Sequence, residues 1–117
     1  MEREKIKTID FDISLEKESL QNEVIRPILK SLNQTLIEIT FHQLLSRTKD
    51  FSNLNKENKL LIVKQLFSKD QSFRNLIKGM IIGNLDQKEL TSFLKLEKEM
   101  TKRIVQMATE RFISQLF

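Results

Sequence analysis

Apolar residues recur at helical spacing over about thirty residues in the first half of the chain. The stripe consists of Leu20, Val24, Ile28, Leu32, Leu36 and Ile39, widened by Ile25, Leu29, Ile37, Leu44 and Leu45. Spacings of three and four residues place these side chains on one face of an α-helix. The pattern predicts a long amphipathic helix that begins at Ser14, whose hydroxyl can accept a hydrogen bond from a backbone N–H of the first turn.

Pro27 lies inside this stripe. A proline within a helix removes one backbone donor and clashes with the preceding turn. The stripe keeps its phase across Pro27, which favours one continuous helix with a kink at that residue. The alternative is a break at Arg26, with Pro27 as the first residue of a second helix, a position that suits proline.

The segment 47–55, RTKDFSNLN, predicts the one sizeable loop. A second helix is predicted over about 56–68 with Asn55 as its N-cap, and a third over 71–82 with Asp70 as its N-cap. The side chains expected to face the core are Leu60, Val63, Leu66 and Phe67 in the second helix, and Phe73, Leu76, Ile77, Met80 and Ile81 in the third.

The two glycines of the chain, Gly79 and Gly83, lie at the end of the third predicted helix. Gly83 suits the left-handed residue that ends many helices. The spacing of the pair matches the small-xxx-small pattern of close helix packing. We therefore expect a neighbouring helix to cross closely at Gly79.

The last helix is predicted to follow Asp86, with Glu89 three residues on, and to run nearly to Phe117. Its apolar stripe consists of Leu90, Phe93, Leu94, Met100, Ile104, Met107, Ala108 and Phe112. The chain is thus predicted to be all-α: a four-helix, antiparallel, bundle-like domain over 14–117, with two long helices, the first kinked at Pro27, and two short ones.

Residues 1–13 show a different pattern. Three apolar residues (Ile9, Phe11 and Ile13) alternate with two aspartates, which is the period of an extended segment. No second strand is predicted, so we expect an extended N-terminal arm whose apolar edge lies on the helices or on a second subunit. The arm mixes both charge signs without an apolar core, so we expect no secretory signal.

The composition narrows the chemistry available to the chain. It holds one histidine and no cysteine, tryptophan or tyrosine. Without cysteine there is no disulfide or thiolate site, which suits a reducing cytosol. His42 with Glu38 one turn earlier supplies too few ligands for a metal site. No apolar run approaches the roughly eighteen residues that a membrane span needs. We therefore expect a cytoplasmic protein without metal, cofactor, membrane association or catalytic activity.

The formal net charge of +4 is unevenly distributed. Residues 1–24 hold four basic and seven acidic side chains, whereas residues 56–78 hold six basic and two acidic ones. Within the basic segment, Arg74, Asn75 and Lys78 share the helix face opposite the apolar stripe. Two cations and an amide near a helix start could hold a carboxylate or a phosphate.

Three segments carry a resemblance to a known family: RPILK (26–30) followed by Asn33, FRNLIKGMIIG (73–83) and TKRIVQMATERF (101–112). Over roughly residues 20–112 the chain resembles a family of short, uncharacterised helical proteins from bacteria of the Bacteroidetes group. Some members are labelled glyoxalase, but glyoxalase-type sites need several His and Glu ligands in a mixed α/β fold. The resemblance implies a site at the shared polar residues, which are Arg26, Asn33, Arg74, Asn75, Lys78, Lys102, Arg103, Glu110 and Arg111.

Two functional hypotheses follow. The first is a non-enzymatic helical interaction protein that forms a homodimer, because the long amphipathic helices and the apolar end FISQLF (112–117) offer more apolar surface than a small monomer hides. The alternative is weak binding of nucleic acid or another polyanion through the basic segment 56–78. The candidate anion- or partner-binding residues are Arg74, Asn75, Lys78, Arg26, Lys102 and Arg103.

Overall fold

The computed structural model describes residues 14–117, and the predicted arm over 1–13 lies outside the described residues. Every regular element of the described part is helical, which confirms the all-α class. The elements are α1 (14–31, which includes a π-helical segment Leu20–Ile25 and an α-helical segment Arg26–Ser31), α2 (Asn33–Arg47), a short 3₁₀ turn (Phe51–Asn53), α3 (Lys56–Lys69), α4 (Gln71–Ile82), α5 (Gln87–Lys95) and α6 (Glu97–Leu116).

The predicted count of four helices is wrong, since residues 14–117 form six. Each predicted long helix is divided at a leucine. Leu32 separates α1 from α2 with φ −93° and ψ 8°, and Leu96 separates α5 from α6 with φ −118° and ψ 23°. Both leucines are partly buried against the core. The apolar stripe continues inward on both sides of each division, since Leu29, Leu36, Phe93 and Met100 are all buried.

Helical geometry continues through Pro27. Ile25 and Arg26 both have right-handed helical dihedral angles, and the backbone N–H of Arg26 donates to the carbonyl of Gln21, five residues back. In an α-helix the proline ring would press on the carbonyl of Glu23, four residues earlier. The wider π turn moves that carbonyl relative to the ring and accommodates the proline. The predicted kink stays a prediction, and the feature found beside Pro27 is the π segment.

α6 lies at the centre of the described part, packed against α3, α4, α5 and the π segment of α1. Near its start, Arg103 Nη1 donates to Gln21 Oε1 of α1 at 2.8 Å. Near its end, the side chains of Gln115 and Asn33 exchange two hydrogen bonds of 2.7 and 2.8 Å. Both pairs are 82 residues apart in sequence, so α1 and α6 run in the same direction.

α3 and α4 run in the opposite direction to α6. At the start of α3, Lys56 Nζ lies 5.6 Å from the ring centre of Phe117, just beyond the end of α6. Near the end of α4, Lys78 forms an ion pair with Glu97, the first residue of α6. The buried side chains that α6 contributes to the core are Met100, Ile104, Val105, Met107, Ala108 and Phe112.

The structure confirms the predicted helix starts that depend on side-chain caps. Asn55 accepts a hydrogen bond from the backbone N–H of Asn58 at 2.8 Å. Asp70 accepts from the N–H of Phe73 at 2.9 Å and also pairs with Arg47. Asp86 and Glu89 form a complete capping box at the start of α5. The start of α1 at Ser14 stays a prediction, because Ser14 is the first described residue and is already helical.

The predictions for the two glycines are wrong. A Cβ atom at Gly79 would meet no heavy atom of residues 14–117 within 4 Å, so none of the described helices crosses there. α4 packs through Phe73, Ile77 and Ile81, which are spaced four residues apart, and Gly79 lies on another face. Gly83 has φ −62° rather than a left-handed conformation, since its N–H continues the helical hydrogen bonding to Gly79.

Three leucines predicted to lie on apolar helix faces are exposed. Leu45 is 47% exposed, Leu76 is 41% exposed and Leu94 is 54% exposed. The predicted loop 47–55 is confirmed as a connection, and Phe51 of its 3₁₀ turn is buried.

Candidate binding grooves beside the last helix

An open groove of about 510 Å³ lies where α3 and α4 meet α6. We call it the α3/α4/α6 groove. Phe67, Val105 and Ile113 give it apolar walls, while its polar lining consists of Lys64, Ser68, Arg74, Lys102, Gln106, Thr109 and Glu110. Three cations and one carboxylate leave the groove with a net positive lining. An apolar surface bordered by cations can contact the apolar and the acidic parts of a ligand together.

Arg74 is the most enclosed cation of this groove. Its side chain is half-buried, and its one hydrogen bond within the described residues is a long contact of 3.4 Å to the carbonyl of Ser68. Its Nε is shielded from solvent and finds no partner among the described residues. A guanidinium carries five N–H donors in a planar fork, and one long contact satisfies few of them within the described residues.

A second open groove, of about 660 Å³, lies between α1 and α6 beside Pro27. We call it the α1/α6 groove. Its charged lining consists of Arg26, Lys30, Glu110 and Arg111. Arg26 and Lys30 are one helical turn apart on α1, and Arg26 Nε is oriented by a 2.9 Å hydrogen bond to Asn22 Oδ1. This groove also has three cations and one carboxylate, and its carboxylate, Glu110, also lines the α3/α4/α6 groove.

The two grooves adjoin along α6, with Glu110 lining both. Together they present six cations, which we call the cationic band: Lys64, Arg74 and Lys102 on one side, and Arg26, Lys30 and Arg111 on the other. The ion pairs found within residues 14–117 involve Arg47, Lys78 and Arg103 and none of these six. The band therefore concentrates positive charge that no described carboxylate neutralises by direct contact.

The predicted site residues divide into two sets. Arg74 and Lys102 come together in the α3/α4/α6 groove, and Arg26 joins them across Glu110. The other three have partners elsewhere. Lys78 pairs with Glu97, and Asn75 accepts from Gln71 Nε2 at 2.9 Å. Arg103 contacts Glu99 and Gln21, so that it ties α6 to α1.

Two cations of the band, Lys30 and Lys64, were not among the residues selected from the sequence, and Arg111 was selected only through the family resemblance. Lys30 follows Arg26 by one helical turn, a spacing that places two cations on one helix face. This signal was visible in the sequence. The neighbours of Lys64 depend on how α3 packs on α6, and those of Arg111 depend on how α1 packs on α6. No local pattern specifies either contact.

A third groove, between α2 and α3, shows what distinguishes the other two. It encloses about 620 Å³ and is lined by Leu44, Arg47, Thr48, Ile62, Gln65, Leu66, Lys69 and Asp70. Arg47 and Asp70 pair with each other across it, and Asp70 also caps α4. Because Arg47 and Asp70 already bind each other and Asp70 caps α4, they are less available to a ligand. This groove is therefore a weaker candidate for ligand binding.

The described residues carry neither a metal-binding cluster nor a membrane-spanning helix. Residues 14–117 contain no group of three or more His, Asp or Glu side chains that could hold a metal ion, and His42 is exposed. No helix among the described residues is long and apolar enough to cross a membrane.

Comparison with known proteins adds no identification. The chain matches no family model, no curated protein and no solved structure. The resemblance to a Bacteroidetes family stays a prediction from the sequence.

Proposed function

We propose that this chain is a non-enzymatic helical binding protein whose ligand is an acidic, amphipathic segment of a partner protein. The observation that carries the proposal is the cationic band, whose arginines and lysines form no ion pair within residues 14–117. An acidic amphipathic helix offers matching chemistry, because apolar side chains on one face would contact the partly exposed Ile113 in the α3/α4/α6 groove. Glutamates or aspartates at its edges would meet the cations.

A homodimer is one form of this proposal, with a second copy as the partner. Part of the apolar end 112–117 is used within the chain, since the ring of Phe112 lies 5.3 Å from Phe41 and 6.0 Å from Phe67. Support for self-association now rests on exposed large apolar side chains of the described part, which are Leu15, Leu45, Leu61, Leu76, Leu94 and Phe117. Sedimentation velocity at micromolar concentration would distinguish a dimer from a monomer.

Nucleic-acid binding is the second candidate function, because six cations that form no ion pair within residues 14–117 also suit a polyanion. Stacking on bases would need exposed aromatic rings. The phenylalanines of the basic segment, Phe67 and Phe73, are each only 2% exposed. This burial favours a protein ligand over a nucleic acid.

The test is fluorescence anisotropy with a labelled helical peptide that carries leucines on one face and glutamates along both edges. A scrambled peptide of the same composition is the reference ligand. We expect the amphipathic peptide to bind more tightly, and Arg74→Gln and Lys102→Gln each to weaken its binding several-fold, since a charge-assisted contact is lost. Lys49→Gln, an exposed turn residue away from both grooves, changes the net charge equally and should leave the affinity unchanged.

The proposal fails if the amphipathic and scrambled peptides bind alike. It also fails if Lys49→Gln weakens binding as much as the two groove variants, because the effect would then come from net charge alone.

A further inference from the structure

We infer that Glu110 is a specificity-determining residue, which makes the cationic band favour a discontinuously charged protein segment over a continuously charged polyanion. The identity of the preferred ligand rests on the proposed function. The exclusion of a continuous polyanion rests on the geometry of the band alone.

Glu110 occupies the one position from which a carboxylate faces both sets of cations. It lines the α3/α4/α6 groove beside Lys102 and Arg74, and it lines the α1/α6 groove beside Arg26 and Arg111. No other residue lines both of these grooves. A ligand that contacts cations on both sides therefore has to pass Glu110.

The Glu110 carboxylate is exposed and is not consumed by an ion pair in residues 14–117. Its one side-chain hydrogen bond there comes from Gln106, one turn earlier on α6, whose Nε2 donates to Glu110 Oε1 at 3.3 Å. This bond leaves the charge of the carboxylate unpaired within residues 14–117. Glu110 thus presents a negative charge between the two sets of cations.

A nucleic-acid strand carries a phosphate on every nucleotide, about 3.4 Å of helix axis apart in a duplex strand. Such a ligand cannot cross the band without bringing phosphate near Glu110. A protein segment can place its carboxylates against the two sets of cations and a neutral or donor side chain opposite Glu110. Repulsion of the wrong ligand is a common source of specificity.

The experiment compares Glu110→Gln with the unmodified chain in binding two labelled probes, a single-stranded oligothymidylate and the amphipathic glutamate–leucine peptide. We expect Glu110→Gln to bind the oligothymidylate roughly tenfold more tightly at low ionic strength. Repulsion between one unit charge and two phosphates at about 6 Å in water corresponds to a change in affinity of this size. The gain should shrink in high salt, and the peptide affinity should change less than about threefold.

Glu38→Gln is the matched control, because Glu38 is an exposed residue of α2 outside both grooves. It raises the net charge by the same one unit, and its effect on the oligothymidylate affinity should stay below about twofold. Both positions are exposed, so neither variant should impair folding, which circular dichroism would verify.

The inference is overturned if Glu110→Gln and Glu38→Gln behave alike with the oligothymidylate, including the case in which neither binds it. If the peptide fails to bind while Glu110→Gln still gains oligothymidylate affinity, the proposed function fails and the role of Glu110 in excluding a polyanion stands. If Glu110→Gln raises the affinity for the peptide as much as the affinity for the oligothymidylate, then Glu110 weakens the binding of all anions equally and does not determine specificity.

Discussion

Replacing Gly79 by alanine should stabilise the protein. Gly79 lies within α4, three residues before its end, and a Cβ atom there would meet no heavy atom within 4 Å. The substitution therefore introduces no clash. It removes backbone freedom from the unfolded chain and restores helix propensity, which together are worth about 0.5–1 kcal/mol in a helix interior.

Gly79→Leu gives the more decisive comparison. If a helix crossed closely at this position, as the glycine spacing predicts, the leucine would overpack the contact and destabilise the protein by about 1–3 kcal/mol. The open surroundings of Gly79 instead predict a gain close to that of alanine, since leucine is almost as good a helix former. The two interpretations differ in the sign of the change.

Urea denaturation followed by far-UV circular dichroism measures the change, provided that the m-values agree between variants. For a domain of this size, 1 kcal/mol shifts the melting temperature by about 4–8 °C. Gly83→Ala is the internal control: its Cβ would lie 3.3 Å from the Gly79 carbonyl oxygen, so its gain should be smaller. A fall in the midpoint for both Gly79 variants would refute the packing described here.

Two further stability predictions use the same assay. Asp86→Ala removes the 2.7 Å bond that the Asp86 side chain accepts from the backbone N–H of Glu89 at the start of α5, and should destabilise by about 1 kcal/mol; an unchanged midpoint would mean that this cap contributes nothing. Thr40, which is 1% exposed, donates to the carbonyl of Leu36 at 2.6 Å. Thr40→Val keeps the shape and should stay within about 0.5 kcal/mol of the unmodified chain, whereas Thr40→Ser loses a buried methyl and should destabilise by about 1 kcal/mol. A larger loss for Thr40→Val than for Thr40→Ser would show that the hydroxyl, not the methyl, is what matters.

The helix starts were predictable because their causes are local. A cap side chain and the N–H that it satisfies are separated by two or three residues, so Asn55, Asp70 and Asp86 could be assigned without knowledge of the tertiary structure. The apolar stripes were predictable for the same reason, and they place most of the core correctly. Three leucines are exceptions (Leu45, Leu76 and Leu94), because they lie at the edge of a stripe, where exposure depends on whether a neighbouring helix extends that far.

The divisions at Leu32 and Leu96 were not predictable from the sequence. Neither leucine has a glycine or proline beside it, and the apolar period continues through both. The backbone departs from helical geometry there because the flanking segments pack on different neighbours, and this is a property of the assembled fold. Pro27 shows the opposite behaviour. Its residue type favours a helix break or kink, but helical geometry continues through it because a π turn accommodates the ring.

The cationic band could not be predicted from the sequence, because the net charge of a continuous segment does not show which cations come together in the fold. Residues 97–111 hold nearly equal numbers of cations and carboxylates, so this stretch reads as balanced. In the fold, Glu99 is occupied by Arg103 and Glu97 by Lys78, which leaves Lys102 and Arg111 without compensation. Three other helices, α1, α3 and α4, contribute further cations beside them, which are Arg26, Lys64 and Arg74. The net charge of residues 97–111 is therefore a poor guide to the surface charge of α6. Ion pairs neutralise Glu97 and Glu99 in the fold, whereas a count along the sequence includes every charged residue equally.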